Sequence, residues 1–185
     1  MASPNDIKNG MTIIFNGQVH QVVEFQHVKP GKGAAFVRTR LKNLRTGQVL
    51  DQIFKARDEV ELAMIERHVA QFLYKTPTSL VFMDTNTYEQ VEVALEPHKH
   101  LLAYMKENEE VTTTVYEGEV IDIALPFTAE LRVTHAAPGV KGDTATGATK
   151  SVTVETGATI QVPLFINEGD VIKVDTRTGN YLTRA

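Results

Sequence analysis

The 185 residues include no cysteine and no tryptophan, are 42% hydrophobic and carry a net charge of -4, which excludes disulfides, thiol nucleophiles and cysteine-held metals and agrees with a reducing compartment. The start, Met1-Ala2-Ser3-Pro4-Asn5-Asp6, has no basic segment followed by an apolar run, and no stretch approaches the roughly 20 apolar residues that span a bilayer. A cytoplasmic protein without membrane attachment is expected.

Strand signals dominate. Thr12 to Phe15 and Gln18 to Val28 flank Asn16-Gly17, a pair suited to a type I′ hairpin turn, whose two central positions both need positive φ. After Val28 comes Lys29-Pro30-Gly31-Lys32-Gly33, the apex of a second hairpin that sets one lysine between two glycines. Pro30 fixes its own φ and biases Lys29 to extended backbone, while the glycines add no bulk beside Lys32. The following strand alternates: Ala35, Val37, Thr39 and Leu41 are expected to face the core, with Phe36, Arg38, Arg40 and Lys42 outside. Arg45-Thr46-Gly47 turns into Val49 to Phe54 and closes a compact all-β unit, residues 1–64.

In residues 65–126, strands are expected at Gln71 to Tyr74, Ser79 to Met83, Gln90 to Leu95, Val111 to Tyr116 and Glu119 to Leu125. A helix starts at Glu96-Pro97 and carries the apolar stripe Leu101, Leu102, Met105. Five strands and a short helix fit an oligonucleotide-binding (OB) barrel. Residues 127–185 repeat the style, with strands near 129–135, 151–154, 158–166, 170–175 and 180–184, and a Gly/Thr/Ala-rich loop from Ala136 to Lys150.

The charge is unevenly shared: residues 1–64 sum to +3, 65–126 to -7 and 127–185 to zero. From Lys29 to Arg57 eight cations face Asp51 alone. Such a patch can address phosphate locally in an otherwise acidic chain, although an Arg/Lys strand face is often merely solvated.

Other chemistry is poorly supported. The six histidines are dispersed, and His98 and His100, two apart on a helix, point away from each other, so no metal site is expected. Gly142-Asp143-Thr144-Ala145-Thr146-Gly147-Ala148-Thr149-Lys150 superficially resembles a phosphate-binding P-loop, but Ala148 stands where the lysine belongs and no helix follows. Gly31-Lys32-Gly33 lacks the third glycine and helix of a dinucleotide fingerprint. No nucleophile, base and orienting group occur together. The chain reads as a non-enzyme without cofactor.

Val28 to Phe36, Pro138-Gly139-Val140-Lys141-Gly142-Asp143-Thr144-Ala145, and Gly157 through Val162-Pro163-Leu164-Phe165-Ile166 to Gly169-Asp170, followed by Lys173-Val174-Asp175-Thr176, together resemble the bacterial elongation factor P family over essentially the whole chain. Val152 and Ile160 differ from the residues most usual in the last signature, and both are apolar. The resemblance implies an SH3-like, KOW-type barrel followed by two OB barrels, arranged as an L approximating a tRNA. It implies a monomer that binds the ribosome between the peptidyl and exit sites, beside peptidyl-tRNA or initiator tRNA, and relieves stalling at consecutive prolines.

On that resemblance Lys32 matches a tip residue that many members modify through a dedicated enzyme. Its Pro-Gly-Lys-Gly-Ala-Ala surroundings resemble the branch bearing an aminopentanol-type extension more than the β-lysyl branch. Other branches carry arginine there. Gly142, Asp143 and Thr144 match a loop associated with the exit-site mRNA codon, and Arg38, Arg40 and Lys42 would hold nearby RNA phosphates. Two alternatives stay open: a general RNA-binding barrel protein, for which Lys32 matters no more than its neighbours, and a paralogue of the family with different clients.

Overall fold

The computed structural model describes residues 2–31, 33–138 and 148–185. Its fold is all-β, three successive β domains each built on one five-stranded sheet. No helix among the described residues is long and apolar enough to cross a membrane.

In the first sheet, β1 (Thr12–Phe15), β2 (Gln18–Val28), β3 (Phe36–Asn43) and β4 (Val49–Lys55) follow one another as a meander. A two-residue strand, β5 (Glu61–Leu62), returns to the far side of β1, giving the order β4-β3-β2-β1-β5. Asn16 and Gly17 sit at φ 51° and 72°, the doubly positive turn that Asn-Gly favours. Ile13, Val22, Leu41, Phe54 and Val60 bury together with Ile7, and Phe15 and Phe25 pack against them. Along β3, Val37, Thr39 and Leu41 are buried as the alternation predicts. Ala35 is a correction: it is exposed and lies outside the strand, because pairing with β2 starts at Phe36.

The second sheet runs β10-β9-β6-β7-β8, formed by β6 (Glu66–Lys75), β7 (Ser79–Asp84), β8 (Gln90–Ala94), β9 (Glu110–Tyr116) and β10 (Glu119–Ala124). β6 starts five residues earlier than its apolar run suggests. The helix is also shorter than expected: one α turn, α1 (Leu95–His98), gives way to a 3-10 segment at Lys99–Ala103. Ala94 supplies no side-chain cap to hold a longer α-helix, and the tighter segment still buries Leu101 and leaves Met105 buried just beyond it. Leu102, the third member of the stripe, stays half exposed.

The third sheet runs β13-β12-β11-β14-β15, from β11 (Thr128–Ala136), β12 (Thr149–Val154), β13 (Thr159–Pro163), β14 (Val171–Asp175) and β15 (Tyr181–Arg184). Leu131, Val152, Val162, Ile166 and Ile172 form its core. β13 ends at Pro163, which has no N–H for the ladder, so the predicted strand through residue 166 becomes a turn in which Ile166 donates to the Pro163 carbonyl.

The described chain divides into two compact units, Met1–His68 with Thr113–Asp122, and Val69–Thr112 with Ile123–Ala185. Inside the first, Arg45 in the β3–β4 turn meets Glu119 at 2.7 Å. Inside the second, Thr156 Oγ1 donates to the Ala103 carbonyl at 2.6 Å and Lys106 Nζ to the Glu130 carbonyl at 2.7 Å.

Candidate nucleic-acid interface

The longest pairing in the first sheet is the one that leads to Lys32. β2 and β3 share eight rungs ending at Val28↔Phe36, and the connection between those two residues spans 29–35. Lys29, Pro30, Gly31 and Gly33 are all exposed. Gly33 has φ +115°, where a side chain would be strained, and its missing Cβ would contact the Pro30 ring at 3.8 Å. The glycine signal in the sequence therefore has a backbone cause at position 33. At Gly31 no atom lies within 4 Å of where a Cβ would sit, so that position is simply open. Lys32 itself lies outside the described residues.

One inserted residue decides what the outer face of this hairpin presents. Pairing runs Val22↔Leu41 and then Glu24↔Arg40, with Val23 left over as a bulge. A unit slip exchanges the two faces of a strand. Val22 and Glu24 would share a face in an unbroken strand; with the bulge, Val22 stays in the core and Glu24 turns outward beside Arg40.

Three cations then stand on the outside of β3 at alternate rungs: Arg38 between Gln26 and Ile53, Arg40 between Glu24 and Asp51, and Lys42 between Gln21 and Val49. Arg40 Nη1 is 3.5 Å from Glu24 Oε2, and its Nε donates to Asp51 Oδ1 at 3.3 Å. Arg38 and Lys42 form no ion pair among the described residues. Arg38, Arg40, Glu24, Gln26 and Asp51, with parts of Phe25 and Thr39, line a shallow bowl of about 160 Å³. The sequence signals the cations, but the two carboxylates come from other strands, and the bulge that brings Glu24 round has no local signature.

Gly142, Asp143 and Thr144 lie outside the described residues, but both stalks of their loop are tied. Glu168 Oε1 accepts from the Ala136 N–H and lies 3.1 Å from His135 Nδ1, and Lys150 Nζ donates to the Ala137 carbonyl at 3.1 Å. No local pattern in the sequence announces either tie. Among the described residues no three metal-ligating side chains gather.

Comparison with known proteins accounts for all three domains. The family model of the elongation factor P KOW-like domain matches residues 3–60, that of the elongation factor P OB domain matches 65–123, and that of the elongation factor P C-terminal domain matches 129–184. Elongation factor P of Moorella thermoacetica is 51% identical over 185 residues, covering both chains completely. In fold, the chain is similar to eukaryotic translation initiation factor 5A from Methanococcus jannaschii, with a TM-score of 0.51 at 21% identity over 66% of this chain and 94% of that one. A translation initiation factor 5A family protein from Naegleria fowleri gives a TM-score of 0.50 at 14% identity, over 67% and 96%. With three successive domains matched in order and half of all residues shared with a full-length relative, the chain belongs to the elongation factor P family of translation factors.

Proposed function

We propose that this elongation factor acts in the cytoplasm as a monomer, binding the ribosome between the peptidyl and exit sites and relieving stalling at consecutive prolines. The observation that carries this reading is the long paired hairpin of β2 and β3, which delivers the connection bearing Lys32 at the end of a basic strand face. Proline is a constrained amine nucleophile, and a nascent chain ending in proline can hold the peptidyl ester in poor geometry for attack. Lys32 contacts the terminal nucleotides of peptidyl-tRNA, while Arg38, Arg40 and Lys42 face nearby RNA. No general base is supplied. Restoring a near-attack arrangement recovers several kcal/mol of orientational cost, and each 1.36 kcal/mol is about tenfold in rate.

On the same reading Lys32 carries a covalent extension of the aminopentanol type, added by a modifying enzyme, and the flexible lysine stem admits it to a narrow space. Initiator tRNA in the peptidyl site is a second substrate for the same contacts. Gly142, Asp143 and Thr144 reach the exit-site codon, with the barrels dividing near residues 64 and 126. Translation of a Pro-Pro-Pro reporter with wild-type and Lys32→Ala factor tests the central claim: loss of relief supports it, and equal relief overturns it. Mass spectrometry of the native peptide containing Lys32 tests the modification.

A further inference from the structure

The basic stripe is interrupted. Arg38 and Lys42 are four residues apart on β3, about 13 Å at ~3.3 Å per residue, and the one outward-facing rung between them, at Arg40, holds one guanidinium against two carboxylates. That central rung has a net charge of -1, so it repels phosphate where its neighbours attract it. A face built only to grip a polyanion would not place its carboxylates there. The bulge at Val23 turns Glu24 outward at this rung.

The carboxylates are also presented in a particular way. Arg40 engages Oε2 of Glu24 and Oδ1 of Asp51. Among the described residues Glu24 Oε1 and Asp51 Oδ2 have no hydrogen-bond donor, and both side chains are about two-thirds exposed, at 68% and 67%. Arg40 thus orients two acceptors across the shallow bowl while Arg38 opens onto the same space. An ionised carboxylate pairs best with a donor, and along a nucleic-acid backbone the donor that distinguishes RNA from DNA is the ribose 2′-hydroxyl.

We infer that the Glu24–Arg40–Asp51 rung is a ribose-reading site: Arg38 and Lys42 hold flanking phosphates, and one of the two carboxylates accepts the single hydrogen bond that a 2′-hydroxyl seated between them can donate. Arg40 is then a positioning residue and not a phosphate ligand. This rests on the reading of the β3 face as an RNA contact, and it adds the chemistry by which that face selects ribose.

The test is amide NMR of the full chain titrated with one uridine-free single-stranded sequence as RNA, as 2′-O-methyl RNA and as DNA at fixed salt. The wild type is expected to bind RNA about threefold or more tightly than either analogue, with shifts on β2, β3 and β4, as loss of a charge-assisted donor predicts. The Glu24→Ala/Asp51→Ala variant is expected to bind DNA more tightly than wild type does and to lose the preference. Equal wild-type affinities, or a preference that survives in the double variant, overturn the ribose site and leave the rung as a cross-strand ion pair. Arg38→Ala separates the two levels. If it weakens all three ligands alike while no preference exists, only the ribose site fails. If it changes nothing, or no ligand shifts these strands, the RNA reading of the face fails with it.

Discussion

The hydroxyl of Tyr104 occupies the space that a Cβ on Gly179 would need. Tyr104 follows the 3-10 segment and packs against the core of the third sheet, while Gly179 sits at φ +73° in the turn between β14 and β15. Gly179→Ala therefore meets both backbone strain and a collision, and a loss of about 2–4 kcal/mol in urea unfolding is expected. Gly157→Ala is the control: φ is +86° but no atom lies within 4 Å, so only the strain, about 1–2 kcal/mol, applies. Adding Tyr104→Phe to Gly179→Ala should return the collision part alone.

Glu117 and Gly118 form the β9–β10 turn with φ 51° and 82°. A glutamate at positive φ is strained, and its carboxylate also touches the phenol of Tyr116. That phenol titrates above its usual 10.0, first because it is desolvated, then because Glu117 repels its anion and hydrogen-bonds it, with a further contribution from Glu61. Glu117→Asn is expected to stabilise the protein by roughly 0.5–1 kcal/mol, since asparagine tolerates this region better. Ultraviolet titration of the tyrosines should show Tyr116 moving down towards 10.0 without reaching it, because desolvation remains.

Asp175 is pulled down from 3.8 to about 2, chiefly by the side-chain hydrogen bond from Arg177, then by backbone N–H donors at Arg177 and Thr178. Arg177 also lies 4.8 Å over the Phe127 ring. A carboxyl with a depressed folded pKa stabilises the protein above its unfolded value and loses that contribution as pH falls. The Asp175 contribution is thus complete above about pH 5 and is lost as pH falls through about 2. Denaturant midpoints of wild type and Asp175→Asn should differ at about pH 6 and draw together as pH falls to about 2 and below.

Arg45 belongs to the basic cluster by sequence but is paired with Glu119. Arg45→Glu and Glu119→Arg should each destabilise, and the double exchange should recover most of the loss. An exposed pair is worth about 0.2–1 kcal/mol, so a double-mutant cycle is the measurement to use. A defect persisting in the exchanged protein would assign Arg45 to another contact.

What the sequence makes legible is the chemistry that acts within a few residues. Asn16-Gly17 carries its turn type in its own dihedral tolerance, and the alternation from Val37 to Leu41 shows which face is buried. Features set by distant partners were hidden. The helix after Ala94 shortened because burial of Leu101 and Met105 does not need a full α-helix and no cap extends one. Glu24 reads as a strand residue of unassigned face until the bulge at Val23 is known, and only then does Arg40 become a cation held by two carboxylates. The stalk ties Glu168 and Lys150 were invisible for the same reason, being 32 and 13 residues from their partners.

The meander order of the first sheet has a bearing on synthesis of the factor itself. β2, β3 and β4 each pair with the strand just made, and the tip hairpin closes between residues 28 and 36, whereas the first half of β11, residues 128–132, must wait for β14 to join residue 128 to 175. Short closures cost less chain entropy and form sooner. Pulse-labelled hydrogen exchange during refolding should therefore protect β2 and β3 amides before those of residues 128–132 in β11, and simultaneous protection would contradict it. The platform for Lys32 can be standing while the last barrel is still being translated.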